Sequence, residues 1–362
     1  MRIAIVIDDL IQRGGQEKLF VTILEMFPNA HVFTALSNEY WKNELKKRNI
    51  CLANSFIDNL PFKKKLNKLY ALLFFYNLAF ESFDFTNYDV VLSISARFAH
   101  VVITKPSTIH ICYLNSPGRM IWHFQKYLSN NSFVLRVLTL PHRILDYYSS
   151  KRVDYFIANS RNVLNRIKKY YGRQCIVIYP FFEIPTDFSQ KNRKNFFIVI
   201  SRIAQWKRID LAIEACIKLN KNLKVVGDSE ILQKWKNKYK KFKNIEFLGY
   251  ISDEDKIKLL DEASALIFTQ EEDFGITPLE ALARACPVIA YKKGGALETV
   301  SEDTGVFFDQ QNVDSLVSAI NTHLNKTYNK KSFESSMAFT KARFTKSLFD
   351  FINNIYLNNK KL

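Results

Sequence analysis

Short apolar runs alternate with amphipathic segments along nearly the whole chain. In the first half, Arg2–Ile7, His31–Ala35, Asp89–Ile94, Ile109–Leu114, Asp154–Ala158 and Ile176–Tyr179 read as buried strands. In the second half, Phe196–Ser201, Leu223–Val226, Ile245–Leu248, Ala265–Phe268 and Val288–Tyr291 do the same. Between them lie segments with helical spacing, such as Ile209–Leu219 and Asp253–Ala263. Strands that alternate with helices pair in parallel, because each return to the sheet needs a crossover. The fold class predicted is therefore α/β. Two such series predict two doubly wound domains, and 362 residues suffice for both.

The break between the series falls at Tyr179-Pro180-Phe181-Phe182-Glu183-Ile184-Pro185. Two prolines oppose a helix there, and the polar, basic run Gln190–Asn195 follows. The expected division is residues 1–182 and 183–343. Beyond it, Phe344–Leu357 has apolar residues at helical spacing and predicts one more amphipathic helix, within residues 344–362.

Composition narrows the class. A hydrophobic content of 48% fits a packed globular chain. The five cysteines are scattered and form no C-x-x-C pair, which argues against a disulfide framework or a zinc site and for a reducing compartment. The six histidines show no metal-type pairing. Asp8 and Asp9 end the first apolar run too early for a secretory signal, and read as a strand-end turn. Leu69–Phe80 is too short to span a bilayer. A cytoplasmic protein is expected.

The formal net charge of +17 calls for an anionic partner: nucleic acid, a membrane face or small molecules. No zinc-finger, RNP or helix-turn-helix signature is present, so nucleic acid is not expected. Lys63-Lys64-Lys65 and Lys68 stand before Leu69–Phe80, which reads as a helix with a basic entry and an apolar body. Two readings stay open there: a core helix with a solvated end, or shallow docking on an anionic membrane.

The chemistry concentrates in the last third. Glu272-Asp273-Phe274-Gly275-Ile276-Thr277-Pro278-Leu279-Glu280 places two glutamates with seven residues between them. Arg202 and Lys207 stand five apart, just after the apolar run that begins at Phe196. Ligands of open parallel sheets collect beyond the carboxyl ends of strands. Two cations there suit a diphosphate, and two carboxylates suit sugar hydroxyls. Phe274 to Pro278 looks like a loop turning into a helix, whose free N–H groups favour phosphate oxygens. Glu280 has a second reading, as N3 of a capping box with Thr277 at N-cap and Pro278 at N1. Glu272 can also be read as a solvated loop acid.

This block resembles the Glu-x7-Glu motif of retaining glycosyltransferases of the GT4 family, which follows an Arg and a Lys spaced as Arg202 and Lys207 are. The resemblance is strongest from Phe196 to Phe308. It extends in patches to Arg13-Gly14-Gly15-Gln16-Glu17, to Ala79-Phe80-Glu81 through Tyr88-Asp89-Val90-Val91, and to Tyr113-Leu114-Asn115-Ser116-Pro117-Gly118-Arg119. The last two patches look most like a bacterial branch that builds surface polysaccharides, often with mannose. The resemblance implies two Rossmann-like domains facing across a cleft, the GT-B arrangement, with the terminal helix crossing back to the first domain. It implies transfer of a hexosyl unit from a nucleotide diphosphate sugar to a glycan or lipid-linked acceptor. Neither a cofactor nor a metal is expected, since the two cations take the metal's place.

Carried over residue by residue, the resemblance implies a donor site of Gly14, Gly15, Arg202, Lys207, Tyr250, Ile251, Glu272, Phe274, Gly275, Ile276, Thr277 and Glu280. Glu280 would hold the ribose and Glu272 the donor sugar. Asn115 and Arg119 would lie on the acceptor side. Arg202, Lys207, Glu272 and Asn115 would carry the chemistry. From pattern alone Gly14-Gly15 is also a plain strand-to-helix turn. It is not G-x-G-x-x-G, so a nicotinamide cofactor is disfavoured. Asn115 is a departure, because the resembling branch usually carries histidine there. Asparagine bonds but does not titrate. His123 is a near neighbour in sequence. The departure keeps a non-catalytic nucleotide-sugar binder as the alternative to an enzyme, with a basic nucleic-acid binder behind it.

Overall fold

The structure is a computed structural model that describes residues 1–12, 14–63, 66–122, 137–183 and 193–360. Arg13, Lys64, Lys65 and His123 lie outside the described residues, as does most of the predicted break from Ile184 onward. The chain divides into two compact units, Met1–Pro180 with Ala342–Leu362, and Phe181–Lys341.

The first unit is built on a parallel sheet of seven strands: β1 (Ile3–Ile7), β2 (His31–Thr34), β3 (Leu52–Asn54), β4 (Val90–Ser95), β5 (Ile109–Leu114), β6 (Tyr155–Ala158) and β7 (Cys175–Val177). Their order is β3-β2-β1-β4-β5-β6-β7. Strands β1 and β4 are buried along their whole length, as central strands covered on both faces must be. The chain reverses its winding between β1 and β4, which makes the end of β1 the switch point of the sheet.

The aspartate pair at that point does more than turn the chain. The Asp8 carboxylate accepts four backbone N–H groups: Ala96 at 2.6 Å, Arg97 at 3.0 Å, and Phe98 and Ala99 each at 2.7 Å. One side chain thus closes the loop after β4 onto the end of β1. Asp9 pairs with the Arg97 guanidinium and accepts from the Tyr76 hydroxyl at 3.1 Å.

The segment read as one helix over Leu69–Phe80 is two, Asn67–Leu72 and Phe75–Glu81, broken at Phe74 in the left-handed region (φ 64°). Tyr70, Ala71, Tyr76, Ala79 and Phe80 enter the core, while Leu69, Leu72, Leu73 and Leu78 stay exposed. The Lys63 ammonium is held by the Asp58 carboxylate at 2.6 Å. The terminal helix runs Lys341–Asn359 and buries Phe344, Leu348, Ile352 and Ile355, the face its spacing predicted. It packs on the first unit, with the Phe344 ring against Tyr113 at 5.9 Å and Phe349 against Phe27 at 6.3 Å.

The second unit carries six parallel strands: β8 (Phe196–Ile200), β9 (Asn222–Val226), β10 (Ile245–Gly249), β11 (Ala265–Phe268), β12 (Val288–Tyr291) and β13 (Gly305–Phe308). The order β10-β9-β8-β11-β12-β13 is the Rossmann order, with its switch point between β8 and β11. Both sheets are thus doubly wound. Two strands, β3 and β13, were not expected. Both are short edge strands, and each pairs on one side only.

Candidate functional site

The switch point of the second unit is where the expected donor residues lie. Arg202 follows the end of β8, and Glu272 follows the end of β11. After β8 the chain makes a short turn, Gln205–Lys207, before the helix Ile209–Lys218. Arg202 is exposed. Lys207 is not: its ammonium pairs with the Glu272 carboxylate and lies 4.1 Å from the centre of the Trp206 ring. Of the two cations, Lys207 is thus the one held by protein contacts and largely buried. The pair is braced from behind. Thr269 Oγ1 donates to the Lys207 carbonyl at 2.8 Å, and Gln311 Nε2 donates to the Thr269 carbonyl at 2.8 Å. Gln270 Nε2 reaches the Glu272 carboxylate at 3.4 Å.

Two glycines fix the loop that carries Glu272. A Cβ on Gly294 would come within 2.3 Å of the Glu272 carbonyl oxygen, and one on Gly295 within 2.2 Å of the Phe274 carbonyl oxygen. The Gly295 N–H donates to the Glu272 carbonyl at 2.8 Å. Only bare backbone fits so close. The turn after β12 thus forms the floor under Glu272 to Phe274. Sequence reading passed over Gly294-Gly295, although a glycine pair just beyond an apolar strand is a visible signal.

Beyond Glu272 the chain enters the helix Ile276–Ala283, as the loop-to-helix pattern predicted. Its N-cap is Gly275, at φ 88°, and no side chain caps it. Thr277 is the second helical residue and Glu280 the fifth, so the capping-box reading of Glu280 fails. Its carboxylate instead accepts a bond from Lys256 at 2.8 Å. Phe274 is buried, with its ring 5.7 Å from Phe339. Ile276 and Thr277 are half-buried. Tyr250 stands out into solvent, 84% exposed, and Ile251 packs beneath it on the cluster containing Leu260 and Leu282.

The expected residues of the first unit sit at the strand ends of its own sheet. Gly14 and Gly15 open the helix Gly15–Met26, and the Glu17 carboxylate accepts the Gly14 N–H at 2.8 Å. Burial raises the pKa of Glu17 above the ordinary carboxylate range, against the lowering effect of that bond. Asn115 follows β5. Asn159 Nδ2 donates to its carbonyl at 3.1 Å, and its own buried Nδ2 has no hydrogen-bond partner among the described residues. Arg119 Nε reaches Ser116 Oγ at 3.4 Å. Among the described residues no group of three or more histidines, cysteines, aspartates or glutamates is placed to hold a metal ion. No described helix is long and apolar enough to cross a membrane.

Residues 181–341, the second unit, match the family described as glycosyl transferases group 1. The chain is 27% identical to the alpha-1,3/1,6-mannosyltransferase ALG2 of Homo sapiens over 51% of its own length and 54% of that protein's. It thus spans about half the length of the curated mannosyltransferases it matches. It is 24% identical to an uncharacterized glycosyltransferase of Methanocaldococcus jannaschii, over 86% of this chain and 85% of the relative. Among solved structures, HepE of Anabaena in complex with UDP superposes with a TM-score of 0.69 at 19% identity, covering 98% of this chain and 100% of its own.

The fold and the family match agree: the chain has two Rossmann-like domains, as HepE does in its fold, and the second of them matches the group 1 glycosyl transferases. Beyond that domain, the chain is similar to mannosyltransferases and to an archaeal glycosyltransferase at 24–27% identity.

Proposed function

We propose that this chain moves a hexosyl unit, mannose foremost, from a nucleotide diphosphate sugar to a glycan or lipid-linked acceptor, with retention at the anomeric carbon and without a metal. The observation that carries the reading is the Lys207–Glu272 pair beyond β8 and β11, at the switch point of the family-matched unit. The resemblance to mannosyltransferases supports the sugar, and HepE binding UDP supports a nucleotide donor.

In this reading the donor diphosphate lies against Arg202, Lys207 and the N–H groups that open the helix Ile276–Ala283. A group already fixed in place stabilises charge on the leaving phosphate without reorganising. Glu272 then holds donor-sugar hydroxyls, braced by Gln270 and the Gly294-Gly295 floor. Glu280 takes the ribose, with Tyr250 and Ile251 near the base. The leaving phosphate accepts the proton of the incoming acceptor hydroxyl. The first unit binds the acceptor through Asn115 and Arg119.

The same reading places the protein in the cytoplasm, peripheral on an anionic membrane face, where lipid-linked acceptors of surface polysaccharide synthesis are held. The helix Leu140–Ser149 supports this. It turns polar His142, Asp146 and Ser149 inward and leaves Leu140, Ile144, Tyr147 and Tyr148 exposed. It adjoins the exposed leucines of the earlier segment, since His142 Nε2 lies 3.0 Å from the Leu72 carbonyl oxygen and its ring stacks on Phe74 at 4.0 Å.

Asn115 favours a second reading, a binder that holds nucleotide-sugar without turnover. A thermal-shift screen against UDP-, GDP- and ADP-sugars tests the part that both readings share. A rise in melting temperature with one base supports it, and no rise with any overturns it.

A further inference from the structure

Lys256 is absent from the expected donor set, yet it is the partner of Glu280. It lies in the first turn of the helix Asp253–Glu262, which follows directly on Tyr250 and Ile251. Ser252 caps that helix, its Oγ accepting the Asp255 N–H at 3.0 Å, so the position of Lys256 is fixed at its root. The Lys256 ammonium meets Glu280 Oε1 at 2.8 Å and Asp253 Oδ1 at 3.0 Å. The Lys256 and Glu280 side chains are largely buried, at 16% and 21% exposed, whereas Asp253 stands at 67%. Burial works against a charged lysine here, but Glu280 and Asp253 outweigh it and hold its pKa above the usual lysine value. The other Glu280 oxygen makes no hydrogen bond among the described residues.

We propose that Lys256 is a positioning residue for nucleotide binding: it fixes the Glu280 carboxylate for the ribose hydroxyls and cancels its charge. This rests on the reading that Glu280 takes the ribose. Two physical effects support it. A carboxylate tethered at one oxygen loses rotamer freedom before the ligand arrives, so less is lost on binding. An unpaired carboxylate would also repel the diphosphate of the same ligand, and in a partly buried site that repulsion is weakly screened.

The test is isothermal titration of the full chain with UDP, GDP and ADP, followed by the 2′,3′-dideoxy counterpart of whichever binds tightest. Lys256→Met should weaken the ribonucleotide about tenfold, equivalent to about 1.4 kcal/mol. It should weaken the dideoxy ligand several-fold less, through the lost charge cancellation alone, and Lys256→Arg should restore most of the loss. Lys256→Met added to Glu280→Gln should cost little more than Glu280→Gln alone, because both act through one contact. Equal weakening of ribo and dideoxy ligands by Lys256→Met, or full additivity with Glu280→Gln, makes the pair a helix staple and overturns the proposal. If Glu280→Gln itself leaves ribonucleotide binding unchanged, the ribose reading beneath it fails. If Glu280→Gln weakens binding and Lys256→Met does not, the ribose reading stands and the role of Lys256 falls.

Discussion

The Lys207 ammonium is bonded to the Glu272 carboxylate, a residue 65 positions further along the chain. The two arrive from neighbouring strands of one sheet, β8 and β11, and neither depends on a ligand to find the other. A cation assigned to phosphate and a carboxylate assigned to sugar therefore share a bond in the free protein. On the proposed reading, donor binding divides them between its two ends.

That arrangement makes Lys207 and Arg202 unequal. Each loses charge-assisted bonds to phosphate when cut to alanine, at about 1.5–3 kcal/mol. Lys207→Ala also strands the Glu272 carboxylate, so it should cost more in kcat/KM than Arg202→Ala. Lys207→Arg should recover part of the loss. Arg202→Ala should melt near wild type by circular dichroism, whereas Lys207→Ala should melt lower because it leaves a largely buried carboxylate without its cation. Donor kinetics unchanged in both variants would refute the phosphate assignment.

Glu272 and Glu280 should separate by step. Glu272→Gln keeps shape and bonding to Gln270 but weakens the hold on sugar hydroxyls, so kcat should fall with nucleotide affinity nearly intact. Glu280→Gln should raise the donor KM and leave kcat closer to wild type. Free-nucleotide affinities measured beside turnover decide it, and the reverse pattern contradicts the assignment.

Stability should fall on mild acidification. His323 is buried between Ser264 Oγ at 3.1 Å and the Tyr328 hydroxyl at 2.8 Å, and burial lowers its pKa to about 4. Burial first, then the charge of nearby His100, holds His110 at about 3. Both are neutral when folded and take up protons when unfolded, at an ordinary pKa of about 6.5. Their contribution is therefore full above about pH 6.5 and declines toward pH 4, by roughly 3 kcal/mol for His323. Melting temperatures measured between pH 7 and 4 should drop in wild type and drop less in His323→Gln. Identical slopes would remove His323 from the account.

Membrane docking should carry two separable parts. Lysines near an anionic leaflet contribute about 1 kcal/mol each, and salt screens that part. The exposed faces of Leu140–Ser149 and of Leu69 to Leu78 contribute a part that salt spares. Leu140→Ser/Ile144→Ser/Tyr148→Ser should lose the second part in vesicle co-sedimentation. Lys63→Glu/Lys64→Glu/Lys65→Glu should lose the first, less the share of Lys63 already bound to Asp58. Equal sedimentation with anionic and neutral vesicles in all three proteins would remove the membrane role.

Sequence pattern went furthest where burial is complete. Strands such as β1 and β11 are covered on both faces, so their residues are apolar throughout and stand out. It failed at β3 and β13, edge strands of three and four residues that are too short to show a pattern. It also failed where a single backbone torsion decides. Phe74 splits one apolar run into two helices, and Gly275 starts its helix early enough to place Thr277 inside it. The motif residues were legible because each follows a strand. Their supports were not, because they arrive from afar: Lys256 on Glu280 across 24 positions, and Asp8 on Ala96 across 88. Periodicity carries no trace of such partners.

The most direct measurement is release of nucleoside diphosphate from UDP-, GDP- and ADP-linked hexoses, followed by mass spectrometry of any glycosylated acceptor, with a chelator present throughout. The account predicts turnover with one donor, undiminished by the chelator and lost in an Arg202→Ala/Lys207→Ala variant. Saturable donor binding without nucleotide release under any condition would contradict it and leave a nucleotide-sugar binder. Turnover that the chelator abolishes and Mg²⁺ restores would contradict the role given to the two cations.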